Sequence, residues 1–205
     1  MKQAIHNRKT NRLFPVFLKL ENLSVLIVGG GKIGLEKLSA ILSNSPETNI
    51  KLVSITISKE IKNMVLDYPN IELIERVFLT VDVDDRDVVI IAIDDKKESR
   101  RIRDIVKQKN RLVNVADKPE LCDFYMGSIV QKGNLKIGIS TNGKSPTIAK
   151  RLKDLFNELL PEEMDELLDN MQEIRSKLQG DFAEKLNQLN AITKDFVLDK
   201  AADAE

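Results

Sequence analysis

The chain has 205 residues, 31% of them charged and 4% aromatic, with a formal net charge of zero and a single cysteine, Cys122. That length holds one full domain and a smaller appendage; a lone cysteine excludes an internal disulfide and fits a reducing compartment, here expected to be the cytoplasm. No apolar run reaches the roughly 18 residues a membrane helix needs, and Met1–Thr10 is polar with no signal-peptide core, so neither secretion nor membrane insertion is expected.

The charge is unevenly spread. Residues 161–205 carry 12 acids and 5 bases, and the remainder 27 bases and 20 acids. A basic excess there favours anionic ligands, or is simply a solvated surface with an acidic tail. Nothing resembles a basic stripe interleaved with aromatic residues, so nucleic acid is not an expected partner.

Asn11–Glu21 contains Leu13-Phe14-Pro15-Val16-Phe17-Leu18, expected as an extended lead-in packed on the first strand. Val25-Leu26-Ile27-Val28 is short, apolar and β-branched, as a strand buried on both faces must be. Gly29-Gly30-Gly31-Lys32-Ile33-Gly34 follows and fits G-x-G-x-x-G at Gly29, Gly31 and Gly34, with a helical pattern directly after it (Ile33, Leu38, Ile41, Leu42). Strand, glycine turn and helix together are the dinucleotide fingerprint: a tight turn, a bare backbone for a pyrophosphate, and close helix–strand packing. The P-loop is rejected, because Ile33 stands where a magnesium-binding Ser or Thr belongs and the glycine spacing is wrong.

The second strand, Ile50–Ile57, ends Thr56-Ile57-Ser58 without the acid that holds an adenosine ribose, which leaves NAD or NADP open. Ser58 N-caps a second helix, Ile71–Ile74 is a short strand, and 79–86 is an acidic turn. Asp87–Ile93 is a buried strand, Lys96–Lys109 a helix with Ile102, Ile105 and Val106 inward, and Leu112–Ala116 the last strand of the unit. Strands alternating with helices predict an α/β, Rossmann-like doubly wound parallel sheet.

The pattern then changes. Phe124–Gln131 and Leu135–Thr141 predict two antiparallel strands around Lys132-Gly133-Asn134, a unit too small to stand alone and expected to pair with a second copy. Ser145-Pro146 opens a helix through Ile148, Leu152, Leu155, Phe156 and Leu159. A further helix places Met164, Leu167, Leu168, Met171, Ile174 and Leu178 on one face, and Asp181-Phe182-Ala183-Glu184 caps a last one with Leu186, Leu189 and Phe196 inward. The expected division is a nucleotide-binding domain at 1–116, a hairpin dimerisation region at 117–144 and a helical domain at 145–205.

The candidate cofactor residues are Gly29, Gly30, Gly31, Lys32 and Ile33, then Thr56, Ile57 and Ser58, then Ala92 and Asn114. Asn114 and Asp117 fall at the carboxyl end of a sheet strand, where open α/β folds bind ligands. Ser140, Thr141, Gly143, Lys144 and Ser145 precede a helix N-terminus, a setting that suits carboxylates.

Several motifs together resemble the dehydrogenase–chelatase part of siroheme synthases. They are Pro15-x-Phe17 with Val28-Gly29-Gly30-Gly31-x-x-Gly34-x-x-Lys37, Asn114-Val115-x-Asp117, Cys122-Asp123-Phe124, and Ile139-Ser140-Thr141-x-Gly143-x-Ser145-Pro146. The resemblance covers about residues 12–196 and lacks the methyltransferase half of the longest members. It implies NAD-dependent oxidation of precorrin-2 to sirohydrochlorin, in some relatives followed by Fe²⁺ insertion to give siroheme, in a homodimer with the hairpin at its interface. The family's essential carboxylate aligns with Asp117, expected here as the general base; the other reading is an Asp that caps the turn before Pro119. Gly127 departs from the Pro of many relatives, and Thr141 stands where some carry a phosphorylated Ser.

Precorrin-2 is rich in carboxylates, so Lys118, Lys144, Lys150 and Arg151 are candidate partners, each alternatively a solvated side chain. Cys122 reads as a small buried residue rather than a metal ligand. Without a His or Cys cluster no resident metal is implied, and Fe²⁺ enters only as a possible chelatase substrate. Two other readings stand beside the dehydrogenase: a non-catalytic NAD(H)-sensing module, and a chelatase with a degenerate nucleotide site.

Overall fold

Five apolar runs between residues 24 and 115 are strands of one parallel sheet: β1 (Ser24–Gly30), β2 (Asn49–Ile57), β3 (Ile71–Glu75), β4 (Val88–Ile91) and β5 (Leu112–Val115). The computed structural model describes residues 10–193, so the chain's one histidine, His6, and the expected inward Phe196 lie outside the described residues. The strand order is β3-β2-β1-β4-β5, every pairing parallel. Between β1 and β4 the order reverses, which creates the crevice in which doubly wound sheets bind ligands.

Period-two alternation splits every central strand between two layers. Val25 and Ile27 face one side with Ile50, Leu52, Val88 and Ile90, under α1 (Lys32–Leu42) and α2 (Lys59–Met64). Leu26 and Val28 face the other with Val53, Val89, Ile91, Val113 and Val115, where Ile102 and Val106 of α3 (Lys96–Gln108) cover them. Ser58 caps α2 by accepting the Ile61 N–H, as its residue type predicts, and Asp95 caps α3 by accepting from Lys97 and Glu98.

The lead-in differs from expectation. Residues 10–19 form neither strand nor helix, and Phe14 and Phe17 are 85% and 70% exposed. Only Leu20 and Leu23 pack on the core. The reason lies in β1: it is a central strand, buried from Val25 to Gly30, and its faces are already filled.

The chain divides into two compact units, Met1–Met126 and Gly127–Glu205. In the second, β6 (Ser128–Lys132) and β7 (Leu135–Ile139) form an antiparallel hairpin whose turn is Gly133-Asn134, with Gly133 at φ +53°. β6 starts four residues later than expected, because Phe124 and Met126 pack into the core of the first unit. α4 (Pro146–Leu159), α5 (Met164–Lys177) and α6 (Phe182–Ile192) follow. Asp165 accepts the Asn134 backbone N–H at 2.6 Å, and the buried Lys132 pairs with Glu162, so the start of α5 fixes the hairpin turn. Asp181 and Glu184 form the expected capping box. Of the residues expected inward on α5 and α6 only Met164 is buried; Leu167, Met171, Ile174, Leu178 and Leu189 are half-buried, Leu168 is exposed and Leu186 is 46% exposed. A pair of helices packed mainly on each other cannot enclose a full stripe on either.

Candidate active site

The glycine loop is built from three consecutive glycines with different surroundings. Gly29 sits at φ +121°, in backbone space that side chains rarely enter, and a Cβ there would strike the Ala92 carbonyl. A Cβ on Gly30 would come within 2.7 Å of the Thr56 carbonyl oxygen and 2.9 Å of the Ile57 Cα. Around Gly31 a Cβ would meet nothing within 4 Å. The first two glycines bring β1 against the ends of β4 and β2; the third leaves open space in front of α1.

Gly31 is the N-cap of α1 and supplies no side-chain cap, and no acid stands in the first turn. The first helical N–H groups, at Lys32, Ile33 and Gly34, have no intrahelical partners. Bare backbone, positive helix end and open space suit a pyrophosphate. The loop also adjoins the other expected cofactor residues. Ser58 donates its N–H to the Gly30 carbonyl at 2.9 Å, Ile57 is in register with Gly30, and Ala92 donates to the Val28 carbonyl.

The end of β2 carries an acid that sequence reasoning missed. Glu75, the last residue of β3, accepts the Ile57 N–H at 2.9 Å and the Lys62 ammonium at 2.9 Å. Those hydrogen bonds hold its carboxyl below the usual carboxylate range, the Ile57 N–H first and Lys62 second. Its strand pairs with β2 only as far as Ser54, so nothing in the sequence pattern marks it as reaching Ile57.

Asp117 follows β5 on the same edge of the sheet. It is exposed and adopts φ +59°, a left-handed conformation uncommon for anything but Gly, Asn and Asp. Its carboxylate has no hydrogen-bond or ion-pair partner among the described residues. The turn is closed by backbone instead: Lys118 N–H to Val115 carbonyl at 3.2 Å and Leu121 N–H to Lys118 carbonyl at 3.0 Å. The side chain is therefore not a turn cap. β5 lies two strands from β1, so Asp117 stands roughly 10 Å across the edge from the glycine loop.

Lys118 turns toward α3, its ammonium 3.2 Å from the hydroxyl of Ser99, which is fully buried and also bonded to the Asp95 carbonyl. Asn114 is buried, and its amide donates to the Phe124 carbonyl at 2.8 Å. This amide is committed to holding the returning chain.

That returning chain closes the outer border of β5. Asp123 accepts the Val113 N–H and donates its own to the Val113 carbonyl. The Cys122 sulfur accepts the Val115 N–H at 3.1 Å and donates to the Val115 carbonyl at 3.2 Å. Burial pushes this thiol's pKa up, so it stays protonated. Among the described residues no three His, Cys, Asp or Glu side chains gather as a metal site.

In the second unit, the 140–145 loop uses its hydroxyls internally. Thr141 Oγ1 bonds the backbone of Ser145, Ser145 caps α4 at Ile148, and Ser140 accepts the Asn142 N–H. Asn142 and Gly143 are both left-handed, and Gly143 has open space around it. Lys144, Lys150 and Arg151 are exposed.

Comparison with known proteins finds relatives along most of the chain. A family model described as "Putative NAD(P)-binding" matches residues 16–128, and one for the sirohaem biosynthesis protein central segment matches 132–159. The siroheme synthase of Psychrobacter cryohalolentis is 37% identical over 169 residues, covering 82% of this chain and 30% of the relative. That of Nitrosomonas europaea is 30% identical over 174 residues, covering 85% of this chain and 36% of its own length. This chain thus spans about a third of the curated relatives it matches. A solved structure, SirC, a precorrin-2 dehydrogenase, superposes with a TM-score of 0.67 at 25% identity, covering 88% of this chain and 89% of that one.

Proposed function

The chain belongs to the NAD(P)-binding family matched over residues 16–128, and from that premise we propose that it oxidises precorrin-2 to sirohydrochlorin with NAD⁺. The observation that carries the reading is Asp117: an exposed, left-handed carboxylate with no partner among the described residues, on the same sheet edge as the open glycine. The siroheme synthase relatives and the precorrin-2 dehydrogenase structure support the substrate.

When bound, NAD⁺ supplies the hydride acceptor. The chain's residues do the rest. The backbone at Gly31 and the start of α1 hold the pyrophosphate, and the end of β2 takes the adenosine side. Asp117, just past the end of β5, would accept the proton released as a macrocycle carbon gives up hydride, so that precorrin-2 loses two electrons and NADH and one proton are formed. Lys118 of the first unit and, separately, Ser140, Thr141, Gly143, Lys144 and Ser145 of the second are proposed as candidate partners for carboxylates of the substrate. Iron insertion, if this chain performs it, uses the same carboxylate to accept the pyrrole protons that Fe²⁺ displaces.

We also propose a cytoplasmic homodimer. Among the described residues no helix is long and apolar enough to cross a membrane. Ile148, Leu155 and Leu159 are exposed on α4 at spacings that place them on one helix face. Light scattering of the purified chain tests the assembly.

The deciding experiment mixes the protein anaerobically with NAD⁺ and precorrin-2 and follows NADH and sirohydrochlorin absorbance. Formation of both is expected. NAD⁺ binding without turnover would favour the NAD(H)-sensing reading.

A further inference from the structure

The second strand lacks the acid by which dinucleotide folds hold the adenosine ribose and exclude a 2′-phosphate. We infer that Glu75, donated by the neighbouring strand, takes that place and makes the site selective for NAD over NADP. The inference rests on the nucleotide-binding reading above.

The placement follows from strand lengths. β3 stops at Glu75, in register with Ser54, while β2 continues to Ile57. The Ile57 N–H therefore points past the end of β3, and the Glu75 side chain reaches forward to accept it at 2.9 Å. Ile57 is itself in register with Gly30 of the glycine loop, and Ser58 donates to the Gly30 carbonyl. The carboxylate thus lies at the level of the phosphate-binding loop, on the adenosine side of it, opposite in direction from β5 and Asp117.

Each Glu75 oxygen carries one bond, from Ile57 N–H and from Lys62. A carboxylate has about four lone-pair sites, so two remain for a vicinal diol. The group is 44% exposed and accessible to a ligand. Its anchoring by a backbone N–H fixes it before the nucleotide arrives, and its negative charge opposes a phosphate on the same ribose. Thr56 and Ser58 offer only hydroxyls, and the Ser58 oxygen already caps α2.

The test is calorimetry on the full chain with NAD⁺, NADP⁺ and 2′-deoxy-NAD⁺, on wild type, Glu75→Gln and Lys62→Ala. Wild type is expected to bind NAD⁺ at least about tenfold more tightly than NADP⁺ and 2′-deoxy-NAD⁺, in keeping with a charge-assisted hydrogen bond. Glu75→Gln, which retains an acceptor for Ile57, should shrink the NAD⁺/NADP⁺ ratio about fivefold or more, whereas Lys62→Ala should not shrink it. An unchanged ratio in Glu75→Gln, or equal binding of NAD⁺ and 2′-deoxy-NAD⁺ by wild type, overturns the assignment while leaving the nucleotide site intact. The deoxy comparison needs no variant and decides the matter even if Glu75→Gln fails to fold. Wild type that binds no nucleotide overturns the underlying functional reading itself.

Discussion

Gly34 lies directly beneath Gly29: a Cβ on the helix residue would occupy the place of the strand residue's carbonyl oxygen. Gly31, between them in sequence, faces open space. The same fingerprint therefore contains glycines that the fold requires and one that it does not, and substitution separates them. Gly34→Ala should destabilise the protein by roughly 3 kcal/mol, because the obstacle is backbone and cannot rotate away. Gly31→Leu should stay within about 1 kcal/mol of wild type in urea unfolding, yet lose NAD⁺ binding by calorimetry. Full affinity in the Leu variant would remove the loop from the cofactor site.

Asp117→Asn tests the proposed general base. Asn tolerates the left-handed conformation as Asp does, and no described group loses a partner, so stability should change by less than about 0.5 kcal/mol. Turnover of precorrin-2 should fall by about 100-fold or more with NAD⁺ affinity unchanged. A dehydrogenase rate near wild type would reduce Asp117 to a loop residue.

How far the chain could be read in advance depended on the range of the interactions. Val25–Val28, the glycines and Ser58 announced themselves because period, turn and cap are local. Asp117 stood out only within a longer motif. Glu75 was invisible, since its role arises from β3 ending short of β2, a relation between segments distant in sequence. Phe14 and Phe17 misled because apolarity says that a side chain seeks cover, not where cover is free.

Asp82 gives the fold a pH dependence. It is 3% exposed, accepts two bonds from Arg76 and one from the Leu79 N–H, and Arg76 in particular holds its pKa below the ordinary range. A depressed folded pKa means the contribution is complete above the unfolded value of about 3.9 and disappears as pH falls through the folded one. Wild type should lose stability on acidification below about pH 4, and Asp82→Asn, weaker at neutral pH, should show a flatter acid limb. Urea midpoints from pH 2 to 7 measure both.

Cys122 should behave as part of the backbone network rather than as a reactive thiol. In the native protein at neutral pH its alkylation should be slow, and fast in denaturant, because the half-buried, hydrogen-bonded sulfur remains protonated. Cys122→Ala leaves the Val115 N–H without its acceptor and should cost about 1–3 kcal/mol. Rapid native labelling would contradict the bonding described.

A parallel sheet normally advertises its last strand, since alternate peptide groups there point outward and invite an intruder. Here the two outward-facing residues of β5 are both occupied, one by a carboxylate and its own amide, the other by sulfur. The border is sealed from within, so a second molecule finds no template on that flank. Fibril-like stacking by strand addition is closed off there, and any pairing of copies through backbone has to use a different strand edge, that of β3 or of the β6–β7 hairpin.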